Sequence, residues 1–500
     1  MTLNDQQKKV FSFLSDGKDN VFLTGDAGTG KSFVLDKYLS YVYSNTYEPE
    51  TRFPILASTG AASVLIGGRT FHSYFGIGVM KGDPGNIVNK ALFNKWVQKR
   101  ISLAETIFID EISMLSGKTL AIAEEICRRV KGNKDPWGGI RIVVTGDFFQ
   151  LPPISDNKRE GIDWAFLSDV WCESEFKNLV LSDVIRTKDK DFTDVLNRVR
   201  YGKYDRVVYD FFVKSLISED KLEQFKGTRI FPFRKFADIL NKSKLSSLEG
   251  DAKIYVGKYF GEEEYEDVSY KNIPVEREIP IKIDALVMLR KNDPNGMYVN
   301  GTLGIVENMS DKSVLVKTKN GEIEVGEHTY EYLDGNGKIR GAVKILPISL
   351  AWASTIHKAQ GATIDSICCD LRGVWECGQS YVAVSRTITA DGFNLVGWDD
   401  NSIKSDDTVK NFYDNSLNYL DNVHLDETKK DEGDIFTDSF ELNSECEDNF
   451  NCNNVEWDGV MRRISCLEYK IVSSNVIRIF GSSFTVDLVN NGEKGIIFYI

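Results

Sequence analysis

The stretch VFLTGDAGTGKSFVLDKYLSYVY, Val21–Tyr43, decides the fold. Val21–Thr24 is a short apolar run, Gly25–Ser32 matches G-x-x-x-x-G-K-[ST] in full, and Phe33–Tyr43 is patterned as a helix. A strand, a glycine-rich turn and a helix in that order form a phosphate cradle. The glycines let backbone N–H groups turn inward around phosphate oxygens, and the helix N-terminus adds positive potential. Gly25, Ala27, Gly28, Thr29 and Gly30 are therefore expected to line the cradle. Lys31 is expected to reach the β and γ phosphates and Ser32 to hold Mg²⁺, so ATP and Mg²⁺ are the expected cofactors.

Two further apolar runs repeat the pattern. Ile107–Asp110 leads into Glu111, and Arg141–Asp147 leads into FFQLPP, with helical patterning at Lys118–Val130 between them. Buried strands alternating with helices predict an α/β fold, a parallel sheet covered on both faces. Ligands of such sheets lie at the carboxyl ends of the strands, where all three polar clusters fall. Asp110 is placed for the Mg²⁺ shell and Glu111 to polarise an attacking water. Gln150, in GDFFQLPP (Gly146–Pro153), is read either as a sensor of the γ-phosphate and water or as part of a turn before a proline stop. Phosphoryl transfer also needs positive charge on the departing phosphate. Arg186 in VIRT and Arg386 in YVAVSRT are the candidates, although a lone arginine is more often a solvated surface charge.

WASTIHKAQGATI (Trp352–Ile364) lies in a second α/β block, far from the phosphate loop. Thr355, His357, Lys358 and Gln360 are read as donors facing a cleft between two lobes, gripping nucleic-acid phosphates on one side and sensing nucleotide, with Gly361, on the other. On the first lobe, ASTGAAS (Ala57–Ser63) and GRTFHSYFGI (Gly68–Ile77) offer Thr59, Gly60, His72 and Ser73 to phosphates. Phe71, Tyr74 and Phe75 are candidates for stacking on bases, with at least two of the three expected to pack in a core.

The net charge of −13 argues against a nucleic-acid binder only until its distribution is read. Between Asp421 and Asp458 thirteen acidic residues face two lysines, so that stretch carries −11 and the rest of the chain −2. A near-neutral body can hold a basic groove. No run of about eighteen apolar residues occurs, so no membrane partner is expected. MTLNDQQKK lacks a signal or transit pattern, which points to a cytoplasmic or nuclear protein. The eight cysteines contain no C-x-x-C pair and read as reduced thiols. Cys446, Cys452 and Cys466 with His424 fit no usual zinc frame.

Within the second block, SVLVKTKNGEIEV (Ser313–Val325) alternates around Asn320-Gly321, a strong hairpin signal inside a small β-rich insert. The acidic run 421–458 reads as a linker. Three roles stay open for it: repelling DNA, binding a basic protein partner, or tethering the β-patterned residues Lys470–Ile500.

The order LNDQQ, GDAGTGKS, ASTGAAS, GRTFHSYFGI, DEISM, DPWGG, GDFFQLPP, VIRT, RKNDPNGMYVNGTLGIV, WASTIHKAQGATI, YVAVSRT resembles the petite-integration-frequency (PIF) family of superfamily 1B DNA helicases over Leu3–Tyr419. The resemblance implies two RecA-like lobes with ATP between them and an adenine contact from Gln7. It implies ATP-driven 5′-to-3′ translocation on single-stranded DNA and unwinding of duplex, forked or G-quadruplex DNA by a monomer. Work in replication, repair, recombination or telomere maintenance goes with it. The implied organisation is lobe one at 1–178, with a wedge at about 76–104, and lobe two at 179–420, with a small SH3-like barrel at about 299–346. The linker 421–458 and a β-rich module at 459–500 follow. Phe93 and Trp96 in the wedge are candidates to face the strand junction, with core packing the stronger expectation. A RecD-like or phage Dda-like helicase, an ATP-switched single-strand clamp without processive unwinding, and a P-loop ATPase acting on protein or RNA are the alternatives.

Overall fold

The computed structural model describes residues 2–78, 82–153, 161–187, 189–293, 297–333 and 339–416, and in the C-terminal region 468–473, 476–480, 485–490 and 496–499. The chain divides into two units, Leu3–Asp426 and Glu427–Ile500.

Lobe one is built on six parallel strands: β1 Val21–Gly25, β2 Ile55–Ala57, β3 Arg69–Thr70, β4 Thr106–Asp110, β5 Arg141–Thr145 and β6 Lys177–Leu181, in the order β3-β2-β4-β5-β1-β6. Successive side chains of a strand point to opposite faces. Ile107 and Ile109 enter one apolar core while Phe108 enters another, and Ile142 and Val144 divide from Val143 in the same way. Helices α1 (Asp5–Asp16) and α2 (Lys31–Ser44) cover the second face with Val10, Leu14, Val34 and Tyr38. The three apolar runs are thus β1, β4 and β5, buried on both sides as expected of a parallel sheet. The expected lobe boundary at 178/179 falls inside β6, whose pairing with β1 keeps it in lobe one.

Lobe two carries a second parallel sheet, in the order Ala353–Thr355, Thr228–Phe231, Ile367–Asp370, Phe393–Gly397. Its β-rich insert begins earlier than residue 299. Strands at Lys258–Gly261 and Leu286–Leu289 join those from Leu303–Met309 to Ile348–Leu350 in antiparallel sheets, and Lys253–Val256 pairs antiparallel with Glu278–Ile281. A common core of Val287, Val306, Val316, Val343 and Ile345 holds them together. The hairpin closes with Thr318 opposite Gly321, so Lys319 and Asn320 form its turn. SLAWAST crosses from the insert (Ile348–Leu350) to the parallel sheet (Ala353–Thr355).

The helix Asp407–Ser416 returns to lobe one. Phe412 stacks on Phe166 at 4.3 Å, and the Trp164 indole N–H donates to Asp406 at 3.0 Å. The wedge region forms two helices, Pro84–Phe93 and Lys95–Leu103, whose Val88, Ala91, Val97 and Ile101 enter the lobe-one core. Phe93 and Trp96 do not: they are 87% and 52% exposed, because they sit at the corner between the two helices. The core packing expected of both is corrected. Residues 79–81 of the proposed wedge loop, the acidic run 421–458, and Cys446, Cys452, Cys466 and His424 lie outside the described residues. The C-terminal unit contains Glu468–Ser473, Val476–Phe480, Thr485–Asn490 and Ile496–Tyr499, an antiparallel sheet in sequence order. Among the described residues no helix is long and apolar enough to cross a membrane.

Candidate functional site

The phosphate loop follows β1 directly. Lys31 Nζ donates to the Gly25 and Asp26 carbonyls at 2.8 and 3.1 Å, folding back over the cradle. Ser32, one residue later, is exposed. Gln7 is buried, at 1% exposure. Its Oε1 accepts from the Asn4 N–H and its Nε2 donates to the Thr29 carbonyl at 3.2 Å, so its amide braces the loop. Ala27 N–H donates to the Tyr381 hydroxyl at 2.8 Å, a contact from lobe two.

Asp110 ends β4, where its Oδ1 accepts from the Thr145 hydroxyl and from the Glu111 N–H. Glu111 has φ +54°, a left-handed conformation that side chains other than glycine rarely adopt. The turn aims its carboxylate into the cleft, where the Gln360 amide of lobe two donates to it at 3.2 Å. Burial and then the adjacent Asp110 carboxylate push Glu111 up to about 7, against the pull of Lys31, Arg386 and Gln360. A carboxyl held there is poised to exchange a proton near neutral pH.

Arg186 meets the loop-bearing lobe, and Arg386 lies beside Arg186. Backbone N–H groups of Ile185 and Arg186 donate to the Gly28 carbonyl at 3.0 and 3.1 Å. Gly28, at φ +86°, permits this approach, since a Cβ there would stand 2.6 Å from that of Arg186. Arg186 Nη1 donates to the Ser385 carbonyl at 2.9 Å, and Arg386 Nη2 donates to the Ser385 hydroxyl at 2.8 Å. Arg386 is 2% exposed and gives its other donors to the Val382, Ala359 and Ala362 carbonyls. Burial and the nearby Arg186 push Arg386 below its ordinary value, with Glu111 opposing. Two guanidinium groups gathered at Ser385, one of them packed on Gly28 of the phosphate loop, suit an anion. Gln150 is buried; Gly378 of lobe two, at φ +80°, lies so close that a Cβ would strike the Gln150 carbonyl.

Sequence reasoning missed the buried group beneath the loop. Arg200 is 5% exposed. It donates to Asp147 at 2.9 and 3.2 Å, meets Asp26 of the phosphate loop at 3.0 Å, and lies 4.3 Å over the Phe149 ring. Tyr413 joins it: its hydroxyl pairs with Thr24 Oγ1 at 2.7 Å and accepts from the Phe148 N–H at 3.1 Å. A signal for Arg200 was present, because it falls on the apolar stripe of its helix with Phe192, Val195, Leu196 and Val199. A charge on a buried stripe needs a partner. Breaking such a group by removing one member leaves buried charge uncompensated and costs about 3–5 kcal/mol. Arg200→Gln is therefore expected to lower the midpoint of urea unfolding markedly, while an exposed exchange such as Lys95→Gln leaves it in place.

The nucleic-acid candidates separate. Phe71, Tyr74 and Phe75 are all buried in the lobe-one core, Phe71 at 0% exposure, so stacking of Phe71 on bases is corrected. Their spacing puts them on one face of the helix Phe71–Phe75, and that face turns inward. His72 and Ser73 occupy the other side and are partly exposed. Thr59 caps the helix Gly60–Leu65, accepting from the Ala62 N–H at 3.2 Å. Gly60 lies against Asn272 of the lobe-two insert; a Cβ would stand 2.6 Å from its carbonyl. Thr355 caps the short helix Ile356–Ala359 by accepting from the Lys358 N–H. His357 is exposed beside Glu376, and Lys358 Nζ meets Glu276 at 2.5 Å. Gly361, at φ +74°, follows Gln360 in open space.

The sequence profile of PIF1-like helicases matches residues 2–209. The ATP-dependent DNA helicase Pif1 of Bdellovibrio bacteriovorus is 40% identical over 412 residues, which cover 82% of this chain and 91% of that protein. The crystal structure of Pif1 from a Bacteroides species in complex with ADP-AlF4 is 26% identical, with a TM-score of 0.71 over 83% of this chain and 97% of that one. The Bacteroides Pif1 structure with ADP-AlF3 and single-stranded DNA is also 26% identical, with a TM-score of 0.58 over 83% of this chain and 98% of that one.

Proposed function

We propose, from the premise that this chain belongs to the PIF1-like helicase family of ATP-dependent DNA helicases, that it moves 5′ to 3′ along single-stranded DNA and parts duplex ahead of it. One observation carries the reading: the phosphate loop and Glu111 of lobe one meet Arg186 and Gln360, with Arg386 beside Arg186 at Ser385, three side chains from beyond β6. Phosphoryl transfer needs that convergence, since catalysis there is mostly positioning and charge stabilisation.

In this reading Lys31 and the loop amides of Gly28, Thr29 and Gly30 bind the ATP phosphates, with Gln7 beneath the loop toward adenine. Ser32 and Asp110 suit Mg²⁺, a hard cation that prefers oxygen ligands and keeps several waters. Among the described residues no cluster of three or more acidic, histidine or cysteine side chains could cage a metal, so phosphate oxygens would complete the shell. The ion neutralises phosphate charge when bound. Glu111 takes a proton from the attacking water, and Gln150 and Gln360 orient it. Arg186 and Arg386 stabilise charge developing on the γ-phosphate.

The same lobes hold the strand. Thr59, Gly60, His72 and Ser73 on lobe one and Thr355, His357 and Lys358 on lobe two are proposed phosphate contacts. Closure on ATP and reopening after release alternate these grips and become steps. Opening a base-pair step costs about 1.4 kcal/mol in stacking. Phe93 and Trp96, both exposed, are the proposed side chains that hold the separated strands apart. Forked or structured DNA is the proposed substrate, and the small β-rich insert is the proposed SH3-like element.

The test is ATPase rate with and without single-stranded DNA, beside unwinding of 5′-tailed and 3′-tailed duplexes. DNA-stimulated hydrolysis and separation of the 5′-tailed substrate alone are expected. Nucleotide-dependent binding without strand separation would mark a clamp, and hydrolysis indifferent to DNA would mark an ATPase of another substrate.

A further inference from the structure

Arg386 is carried by a short element. The helix Gln379–Val384 has six residues and ends directly before Ser385 and Arg386. A helix of that length does not hold itself in place, so what it touches sets its position. Two of its contacts with lobe one are specific. Gly378, which precedes it, packs so tightly that a Cβ there would strike the carbonyls of Gln150 and Phe149. Within it, Tyr381 is 2% exposed, and its hydroxyl accepts from the Ala27 N–H at 2.8 Å. Ala27 lies between Gly25 and Gly28, inside the phosphate loop. A hydroxyl of lobe two is therefore bonded to the backbone of the loop itself.

The same residue leads to both arginines. The Tyr381 carbonyl accepts from the Ser385 N–H at 3.0 Å. Val382, next in sequence, gives its carbonyl to Arg386 Nε at 2.7 Å. Ser385 then serves both guanidinium groups: its carbonyl accepts from Arg186 Nη1 and its hydroxyl from Arg386 Nη2. Each step is a hydrogen bond of the backbone or of a short side chain, so a displacement of Tyr381 passes to Arg386 with little slack. Burial and the nearby Asp147 carboxylate hold the Tyr381 phenol well above its ordinary value, with Arg200 opposing, so the hydroxyl keeps its proton. A neutral hydroxyl can bond the loop amide without placing negative charge beside the ATP phosphates.

We infer that Tyr381 is a positioning residue for hydrolysis: its hydroxyl seats the Arg386-bearing helix on the phosphate loop at Ala27, and so sets where the arginine stands relative to the phosphate that the loop holds. The inference rests on the reading of Arg386 as the arginine of phosphoryl transfer. Charge stabilisation of a moving phosphate depends on placement, and a misplacement of about 1 Å costs about 10²-fold in rate. ATP binding draws on Lys31 and the loop amides of Gly28, Thr29 and Gly30, none of which touches Tyr381 through a hydrogen bond. The loss therefore falls on the chemical step and not on affinity.

The test pairs single-turnover hydrolysis on single-stranded DNA with equilibrium binding of a non-hydrolysable ATP analogue, both on the full chain. Tyr381→Phe removes one oxygen and keeps the ring. Its hydrolysis rate is expected to fall about 10- to 100-fold, with analogue affinity within about threefold of wild type. Gly378→Ala, which lifts the start of the same helix off Gln150, is expected to give the same split. Added to Arg386→Lys, Tyr381→Phe is expected to slow hydrolysis by less than about threefold more, because residues that act as one unit do not add. A wild-type rate in either single variant overturns the inference. So do losses that multiply in the double variant, or an analogue affinity that falls as far as the rate. In those cases slow turnover by Arg386→Lys alone leaves the helicase reading intact. An Arg386→Lys rate within about threefold of wild type overturns the reading beneath it.

Discussion

Arg386→Ala is expected to lower the DNA-stimulated ATPase rate by about 10³-fold or more, the contribution usual for an arginine placed on the departing phosphate. The expectation follows from how the residue is buried. Arg386 has 2% exposure, yet its bonded partners are carbonyl and hydroxyl oxygens of Val382, Ala359, Ala362 and Ser385. Those acceptors fix the plane of the guanidinium without cancelling its charge, and Arg186 alongside adds more of the same sign. In the proposed mechanism Arg386 meets the ATP γ-phosphate, whose charge is most exposed during transfer. A loss of 10³ corresponds to about 4.1 kcal/mol of transition-state stabilisation. Alanine also strands the buried acceptors, so Arg386→Lys is the sharper variant: it keeps the charge and loses the planar fork. Lysine is expected to retain ATP binding in equilibrium titrations and still turn over far more slowly. Single-turnover hydrolysis checks it, and a rate within threefold of wild type would remove Arg386 from the reaction.

How much of this could be read from the chain differs by element. The phosphate loop, β1 and α2 are contiguous, so glycine spacing and apolar runs specify them locally, and the structure places them where the pattern puts them. The same holds for β4 and β5. Phe71, Tyr74 and Phe75 carry the spacing of a buried helical stripe, which outweighs their resemblance to a stacking platform. Phe93 and Trp96 stand three residues apart but on different helices, because Asn94 breaks the chain between them; local periodicity cannot anticipate that corner. The long-range partners were beyond local reading. Tyr413 meets Thr24 across 389 residues, and the strands near 255 and 280 belong to the insert only through packing on strands past 300.

Glu111→Gln is expected to slow hydrolysis by about 10²- to 10⁴-fold while leaving ATP binding in place. The exchange keeps the size and hydrogen-bonding reach of the side chain and removes its capacity to accept a proton from water. Three features favour Glu111 over its neighbour as the proposed base. Asp110 directs one carboxylate oxygen inward to Thr145 and to the Glu111 N–H, which anchors it at the end of β4. Glu111 is turned the other way by its left-handed backbone and meets Gln360 from the opposite lobe. Burial beside Asp110 also raises its proton affinity, making it a stronger base than a solvated carboxylate. Gln360 donates to Glu111 across the cleft, so on the proposed mechanism the base is completed when the lobes are together and hydrolysis is tied to closure. The Glu111→Gln protein is thus expected to accumulate with ATP bound and the lobes closed. Its affinity for single-stranded DNA in the presence of ATP is expected to match that of wild type with a non-hydrolysable analogue. Turnover near the wild-type rate would show that another group accepts the proton; loss of ATP binding would show that Glu111 holds the site together instead of acting within it.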